Sequence, residues 1–357
     1  MIKQNAQPAN APERTLTSAS HLLASGLIEE KDLAAVAQVA QTFGIGITPH
    51  VRRMIDAEDH ADAIAAQFVP TAAELNVTAE ELHDPIGDEP HSPLPGIVHR
   101  YPDRVLLTPS TVCAVYCRFC FRRETVGAAS QALSDSALQA AFAYIESKEE
   151  IWEVIISGGD PFILSPRRLG KIMLRLQGID HVGVVRFHTR VPVVKPSTID
   201  EAFIRAIKIK KAVYVVLHVN HARELNAEAQ SACARLIDAG FPMLSQTVLL
   251  KNVNADAAVL RTLFKRLVEL RIKPYYLHHG DLARGTSHFR TSIAEGQELM
   301  RNLRGHISGL CQATYVLDIP GGHGKVPIGP NYLTETHPGN FVVRDYCDHS
   351  HDYSDEL

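Results

Sequence analysis

The chain has 357 residues, 45% hydrophobic and 21% charged, enough apolar material for one large domain with appendages or for two domains. Thirty-six Lys plus Arg against 40 Asp plus Glu leave a formal charge of −4, which argues against a general nucleic-acid binder. No stretch reaches the roughly 18 to 20 apolar residues of a membrane helix, the first 15 residues hold no apolar signal core, and six cysteines in this length are not a disulfide scaffold, so a reducing, cytoplasmic setting is expected.

In chain order, residues 1–15 read as unstructured. Residues 18–27 and 30–42 carry apolar side chains at helical spacing, with Gly44 ending the second run, and Thr48-Pro49 starts a third helix through residue 55. Together, residues 1–83 form an N-terminal helical region. Residues 84–103, rich in Pro, Gly and Asp, read as a linker whose His and Arg content suggests more than a spacer. From residue 104, β-branched runs recur at 104–108, 153–157, 184–188, 213–219, 244–249 and 273–277, the last five starting about every 30 residues. Helical patterns such as 132–147, 199–208, 227–239 and 255–270 lie between them, which is the βα unit. Unbroken apolar runs imply strands covered on both faces. Six units predict an incomplete (β/α)6 barrel over 104–310, with a doubly wound open sheet as the alternative. In either fold, active groups belong just past the strand C-termini, and residues 311–357 form a C-terminal segment.

That rule gathers polar groups on one rim. Cys113, Cys117 and Cys120 follow the first strand, Ser157-Gly-Gly-Asp160 the second, and His188 and Arg190 the third. His218, Asn220 and His221 follow the fourth, Gln246 lies in the fifth, and His278, His279 and Asp281 follow the sixth. Three thiols are odd for disulfides and one short of a closed zinc site. A four-iron cluster held by three thiolates keeps one iron open for a non-protein ligand; the alternative is a set of inert buried thiols. Arg118, Arg122 and Arg123 flank the segment, and cations favour thiolates. A Gly158-Gly159 pair lets a ligand approach the backbone, or simply makes a turn.

Cys113-x3-Cys117-x-Phe119-Cys120 resembles the radical S-adenosylmethionine (SAM) motif. The segments DPI..D..HSPLPG..HRYPDRVLL (84–107), YCRFCFRR (116–123), SGGDP (157–161), LRGHISG (303–309) and DIPGGHGKVP (318–327) narrow the resemblance, over about residues 45–334, to the lysine 2,3-aminomutase family. The resemblance implies a 4Fe–4S cluster on Cys113, Cys117 and Cys120, with SAM on the open iron near Gly158, Gly159 and Asp160; His218 and Gln246 are further SAM candidates. It implies that Lys325 forms a Schiff base with pyridoxal phosphate, whose phosphate takes Arg100, Tyr101 and Arg104. Arg122 would pair with the substrate α-carboxylate, and Asp281 and Asp318 with a substrate ε-ammonium. Two carboxylates at one site repel unless a cation lies between them, so the expected substrate is L-lysine, and the implied reaction is a radical shift of its amino group from C2 to C3.

The resemblance also implies an electron donor such as a flavodoxin or ferredoxin, and a homo-oligomer. His278 stands where Tyr is usual in the family. Longer members bind zinc between subunits through C-terminal cysteines. Here Cys347, His349 and His351 could ligate a metal, but the partner position is Asp256, so a solvated acidic tail is the favoured reading. Three rivals stay open: an aminomutase making (R)-β-lysine for elongation factor P, a glutamate 2,3-aminomutase, and a non-catalytic iron–sulfur or nucleic-acid-binding module.

Overall fold

The computed structural model describes residues 14–127 and 131–355, so the unstructured reading of residues 1–15 lies, but for its last two residues, outside the described ones. One sheet dominates. Its nine strands are β1 (Ile97–Tyr101), β2 (Arg104–Ser110), β3 (Glu153–Gly158), β4 (Val184–Thr189), β5 (Ala212–His218), β6 (Met243–Val248), β7 (Ile272–His278), β8 (Thr314–Asp318) and β9 (Lys325–Pro327), and they lie side by side in sequence order. From β2 to β8 every pairing is parallel; the edges β1 and β9 pair antiparallel. The expected six strands are β2 to β7. The expected linker is different: Ile97–Tyr101 folds back on β2, because Val98 and Ile97 bury apolar side chains opposite Leu106 and Leu107.

The connecting helices start where a short polar side chain can cap them. Ser134, Ser165, Asp200, Asn226, Asp256 and Ser292 each accept from a backbone N–H of the first turn, which satisfies donors that a helix start leaves orphaned. Each helix then buries one stripe, as Leu260, Leu263, Phe264 and Leu267 do in the helix Ala257–Glu269.

β3 and β5 bury apolar residues on both faces, as the run composition implied, with Ile155 and Val216 on the inner one, but β4 does not. On β4, Val185 and Phe187 are fully buried, while Arg186 and His188 point the other way and are half-buried. The inner face of the sheet, which lines the lumen, is therefore mixed, its polar groups including an Arg186–Glu153 ion pair at 3.0 Å. The sheet curls far enough for its two edges to touch, since the Tyr101 hydroxyl on β1 accepts from the Lys325 backbone N–H on β9 at 2.7 Å.

The N-terminal helices Ala19–Ala24, Leu33–Thr42 and Pro49–Met54 form as expected. Their Leu22, Val36 and Val51 join the same continuous core as the barrel strands, so this region is packed onto the barrel rather than appended to it. Beyond β9, Leu333–His337, Asn340–Arg344 and Ser350–Ser354 form a largely exposed antiparallel sheet, whose last strand lies in the segment 345–357 expected as a solvated acidic tail. Asp345 ties it, accepting from the backbone of Cys347 and His349 and from His351 Nε2. Asp256 is spent capping its helix. No helix among the described residues is long and apolar enough to cross a membrane.

Candidate active site

The loop after β2 carries the three cysteines onto one small cavity of about 40 Å³, shared with Phe43, Gly44, Tyr116, Arg123 and Val126. Its path is fixed from outside. Tyr116 N–H donates to Gly46 O (3.1 Å) and Arg118 N–H to Gln67 O (2.9 Å). Gly44 and Gly46 lie so close to the Tyr116 ring that an added methyl would meet it at 3.2 and 3.0 Å. Burial pushes the Cys113 thiol up, and burial with the neighbouring Cys117 pushes Cys120 up to about 11. Thiols crowded in this way resist ionising until a metal ion takes the charge. No three of the described His, Cys, Asp or Glu side chains are close enough to share one metal ion; a cubane offers each thiolate a different iron, so the donor set fits a cluster.

The charges of Arg122 and Arg123 oppose the burial-driven rise at Cys120, as expected of cations beside the loop, but two of the flanking arginines have a second partner. Arg118 and Arg123 turn inward and both bind Glu74, which is 1% exposed: Arg118 Nη2 at 2.6 Å, with Arg123 Nη2 closing the group. The guanidinium that reaches a thiol is Arg190, 73 residues on, whose Nη1 donates to Cys117 Sγ at 2.8 Å. Its Nη2 donates to Gln67 Oε1 (2.5 Å) and Glu224 Oε2 (2.8 Å). Asn220 Nδ2 joins at Gln67 Oε1, 3.0 Å away. Gln67, Glu224 and Asn220 are fully buried, so these bonds replace water for them, while Arg190 Nε is left buried without a partner. Sequence reasoning gave no role to Gln67, Glu224 or this Arg190 contact; only the position of Arg190 after β4 hinted at it.

The proposed SAM residues divide. His218 stacks on Phe119 with centroids 5.6 Å apart, its Nε2 is buried without a partner, and Gln246 lies beside it on β6. Gly158 and Gly159 are required by the chain itself: a methyl on Gly158 would stand 2.7 Å from Ser110 O, and one on Gly159 2.2 Å from Val112 O. They seat the cysteine loop against β3. Asp160 is likewise committed. Its oxygens accept from Phe162 N, Thr189 Oγ1, Arg190 N and Val191 N at 3.0, 2.7, 2.7 and 3.1 Å. As placed here, Asp160 fixes the loop that follows β3 through its side chain, and Gly158 lines the cavity beside the cysteine loop.

At the opposite seam of the lumen, Asp318 ends β8 and Lys325 begins β9. Lys325 Nζ donates to Asp318 Oδ1, and His278 Nδ1 lies 3.3 Å from Asp318 Oδ2. Burial would raise the Asp318 carboxyl, but the His278 hydrogen bond and the Lys325 charge outweigh it and hold it well below the usual range. Asp281 has no such partner; burial, then the charge of Asp318, pushes it up to about 7. Two neighbouring carboxyls are thus driven apart in pKa. His188 also lies here, its Nε2 buried without a partner, and burial pushes it well below the ordinary imidazole range.

The expected phosphate residues meet this seam. Besides binding the Lys325 N–H, Tyr101 lies under the Arg104 guanidinium at 3.8 Å. Arg100 is almost covered and its Nε is buried without a partner. Gly324, at φ +88, would bring a methyl to 2.8 Å from the Tyr101 hydroxyl, so only glycine permits this closure. An amine, an underused buried guanidinium and a glycine cradle fit a phosphate-bearing aldehyde cofactor. Arg122 donates through Nε and Nη2 to Asp88 Oδ2 at 2.9 and 2.7 Å, beside a cavity of about 210 Å³ that Gly158, Thr108 and Asp84 also line.

A family model described as "Lysine-2,3-aminomutase" matches residues 300–355. The L-lysine 2,3-aminomutase of Clostridium subterminale is 38% identical over 89% of this chain and 77% of its own length. That of Acetoanaerobium sticklandii is 39% identical over 87% and 75%. The glutamate 2,3-aminomutase of Clostridioides difficile is 38% identical over 86% and 72%. An open barrel with polar groups on its inner face, a thiol loop on one rim and a lysine at its seam is the architecture of an enzyme, and the relatives make it an isomerase of the aminomutase class. The chain belongs to the lysine 2,3-aminomutase family.

Proposed function

We propose that the chain is an L-lysine 2,3-aminomutase working with a 4Fe–4S cluster on Cys113, Cys117 and Cys120, SAM, and pyridoxal phosphate on Lys325. The observation that carries the lysine assignment is the Asp281–Asp318 pair, which at this seam already has an ammonium, that of Lys325, at one of its members. A substrate ammonium between them lets both carboxyls ionise, whereas the side-chain carboxylate of glutamate would add a third negative charge. Arg122, across the lumen mouth, has an Nη1 edge with no acceptor among the described residues, suited to a substrate carboxylate.

When bound, the cluster and SAM supply a carbon radical, and pyridoxal phosphate supplies the π-system that lets nitrogen migrate. The chain's residues do the rest. Asp318 accepts from Lys325 Nζ and so fixes where that amine points. Tyr101 fixes the backbone of Lys325. Arg100 and Arg104 anchor a phosphate, the two aspartates and Arg122 hold the substrate at its two ends, and the buried walls around His188 and His218 exclude water. An external one-electron donor of the flavodoxin or ferredoxin kind, and assembly with further copies of the chain, belong to the same reading.

His278 on Asp318 favours a second reading, production of (R)-β-lysine for elongation factor P, which the chirality of the product separates from the first. The test is anaerobic reconstitution with iron, sulfide, SAM, pyridoxal phosphate and a chemical reductant, offering L-lysine or L-glutamate. The expected result is an organic radical in spin resonance and β-lysine with lysine only; both vanish, with the brown chromophore, in Cys113→Ala, Cys117→Ala or Cys120→Ala. A radical and β-glutamate with glutamate alone would overturn the substrate, and full turnover in a cysteine variant the chemistry.

A further inference from the structure

The loop between the N-terminal region and β1 holds a carboxylate that the proposed function does not use. Asp88 Oδ1 accepts from Arg100 Nη2 at 2.9 Å, and Asp88 Oδ2 accepts from Arg122 Nε and Nη2 at 2.9 and 2.7 Å. Arg100 and Arg122 come from different elements, β1 and the cysteine loop, and two guanidiniums brought this close repel unless an anion stands between them. Asp88 is that anion. Its own position is built rather than incidental. Asp84 Oδ1 accepts from the Asp88 N–H (2.9 Å) and Asp84 Oδ2 from the Glu89 N–H (2.8 Å). Arg100 Nη2 also reaches Ile86 O at 2.8 Å. Gly87, at φ +66, lies so close to the Lys325 segment that a methyl there would stand 2.3 Å from Gly322 N. One short turn therefore touches the segment of the cofactor lysine, the phosphate arginine and the substrate arginine.

The hydrogen bonds leave each arginine a usable edge. Asp88 and the backbone take Nη2 of Arg100 and the Nε–Nη2 side of Arg122. The Nη1 of each donates to no acceptor among the described residues, and a guanidinium has donors to spare for a second anion. Asp88 thus does not compete for the ligand-facing edges; it fixes their direction and separation.

We propose that Asp88 is a positioning residue that joins the phosphate subsite at Arg100 to the substrate-carboxylate subsite at Arg122, so that losing its charge loosens both together. The inference rests on the roles proposed for Arg100 and Arg122. The experiment uses the anaerobically reconstituted full chain carrying Asp88→Asn or Asp88→Glu, with Arg122→Gln as the control. Pyridoxal phosphate affinity is read by absorbance titration, and L-lysine KM and kcat from β-lysine formation.

Asp88→Asn is expected to raise both the pyridoxal phosphate Kd and the lysine KM at least about tenfold. kcat should fall less, and iron content, cluster absorbance and Tm should stay at wild-type values; Asp88→Glu should restore most of the cofactor affinity. A Kd or KM that does not move, or affinities that tighten because the carboxylate competes with the ligands, would overturn the proposal. An Asp88→Asn protein with lowered Tm whose affinities Asp88→Glu does not rescue would also overturn it, making the residue structural only. Arg122→Gln separates this from the underlying reading: an unmoved lysine KM there refutes the role of Arg122, while the cofactor titration of Asp88→Asn still reports on Arg100.

Discussion

Two carboxylates in this molecule each hold two arginines, and they do opposite work. Glu74 closes on Arg118 and Arg123 with 1% of its surface exposed. Asp88 bridges Arg100 and Arg122 beside a cavity of about 210 Å³ with 17% of its side chain exposed. Three of these arginines come from one six-residue stretch, Arg118 to Arg123. What distinguishes them is where donors are left over. Around Glu74, Arg118 gives its remaining group to Gly44 O (2.7 Å) and Arg123 to Gly285 O (3.0 Å). Around Asp88, edges of both guanidiniums remain available. Around Glu74 the one guanidinium nitrogen left over, Arg123 Nε, is buried without a partner; a paired charge closed in this way is architecture, whereas the same pair with Nη1 edges in reserve at a cavity wall is a binding device.

The sharpest way to break this contrast is Glu74→Gln. It leaves two buried guanidiniums uncompensated, and global stability should fall by roughly 3 to 5 kcal/mol, read as a drop in denaturation midpoint. An unchanged midpoint would make Glu74 no more structural than Asp88. Burial would raise the Glu74 carboxyl, but Arg118 and Arg123 outweigh it and hold it below its ordinary value. Its stabilisation is therefore present at neutral pH and lost as pH falls below the ordinary carboxylate range.

Next in size, Asp318→Asn or Asp281→Asn should weaken L-lysine binding by about 2 to 5 kcal/mol, the range for truncating one partner of a buried charge pair, without the stability loss of Glu74→Gln. Calorimetric titration of L-lysine checks it, and wild-type affinity in both variants would misplace the substrate pocket.

A smaller effect lies in pH. Asp281, pushed up to about 7 by burial and by Asp318, must lose its proton to receive an ammonium. Lysine affinity should therefore fall as pH drops through 7, by up to about tenfold per unit for one proton, and titrations in buffers of different ionisation enthalpy should show proton release on binding. A flat profile between pH 5.5 and 8 would remove Asp281 from the ammonium site. Smallest is Asp256→Ala, far from both arginine pairs, where loss of a helix cap should cost about 1 kcal/mol of stability and leave lysine KM unchanged.

Much of the frame was legible in the sequence because it is local. The six runs that became β2 to β7 betray themselves by β-branched residues at a fixed period, and the helices between them by apolar residues at helical spacing. β1 was not legible, since Pro93, Pro95 and Gly96 give its surroundings the composition of a linker, and the three residues of β9 are too few to show a pattern. The site divides in the same way. The cysteine spacing and the Gly-rich lysine segment stand out within a dozen residues. Arg190 on Cys117, Glu74 under two arginines and Asp88 between two others are contacts across 34 to 73 residues or between separate elements, which only the folded chain brings together. Linear order also cannot say that Arg118 and Arg123, which do line the cysteine cavity, share their charge with the buried Glu74.

The hydrogen bond from Lys325 to Tyr101 spans 224 residues of sequence, and it dictates an order of manufacture. On a ribosome the three cysteines and their supporting turn emerge early. The lysine finds its phenol only after the whole intervening chain has been made and wrapped, so the thiol-bearing loop exists before the lysine seam, which is the sheet's final stitch.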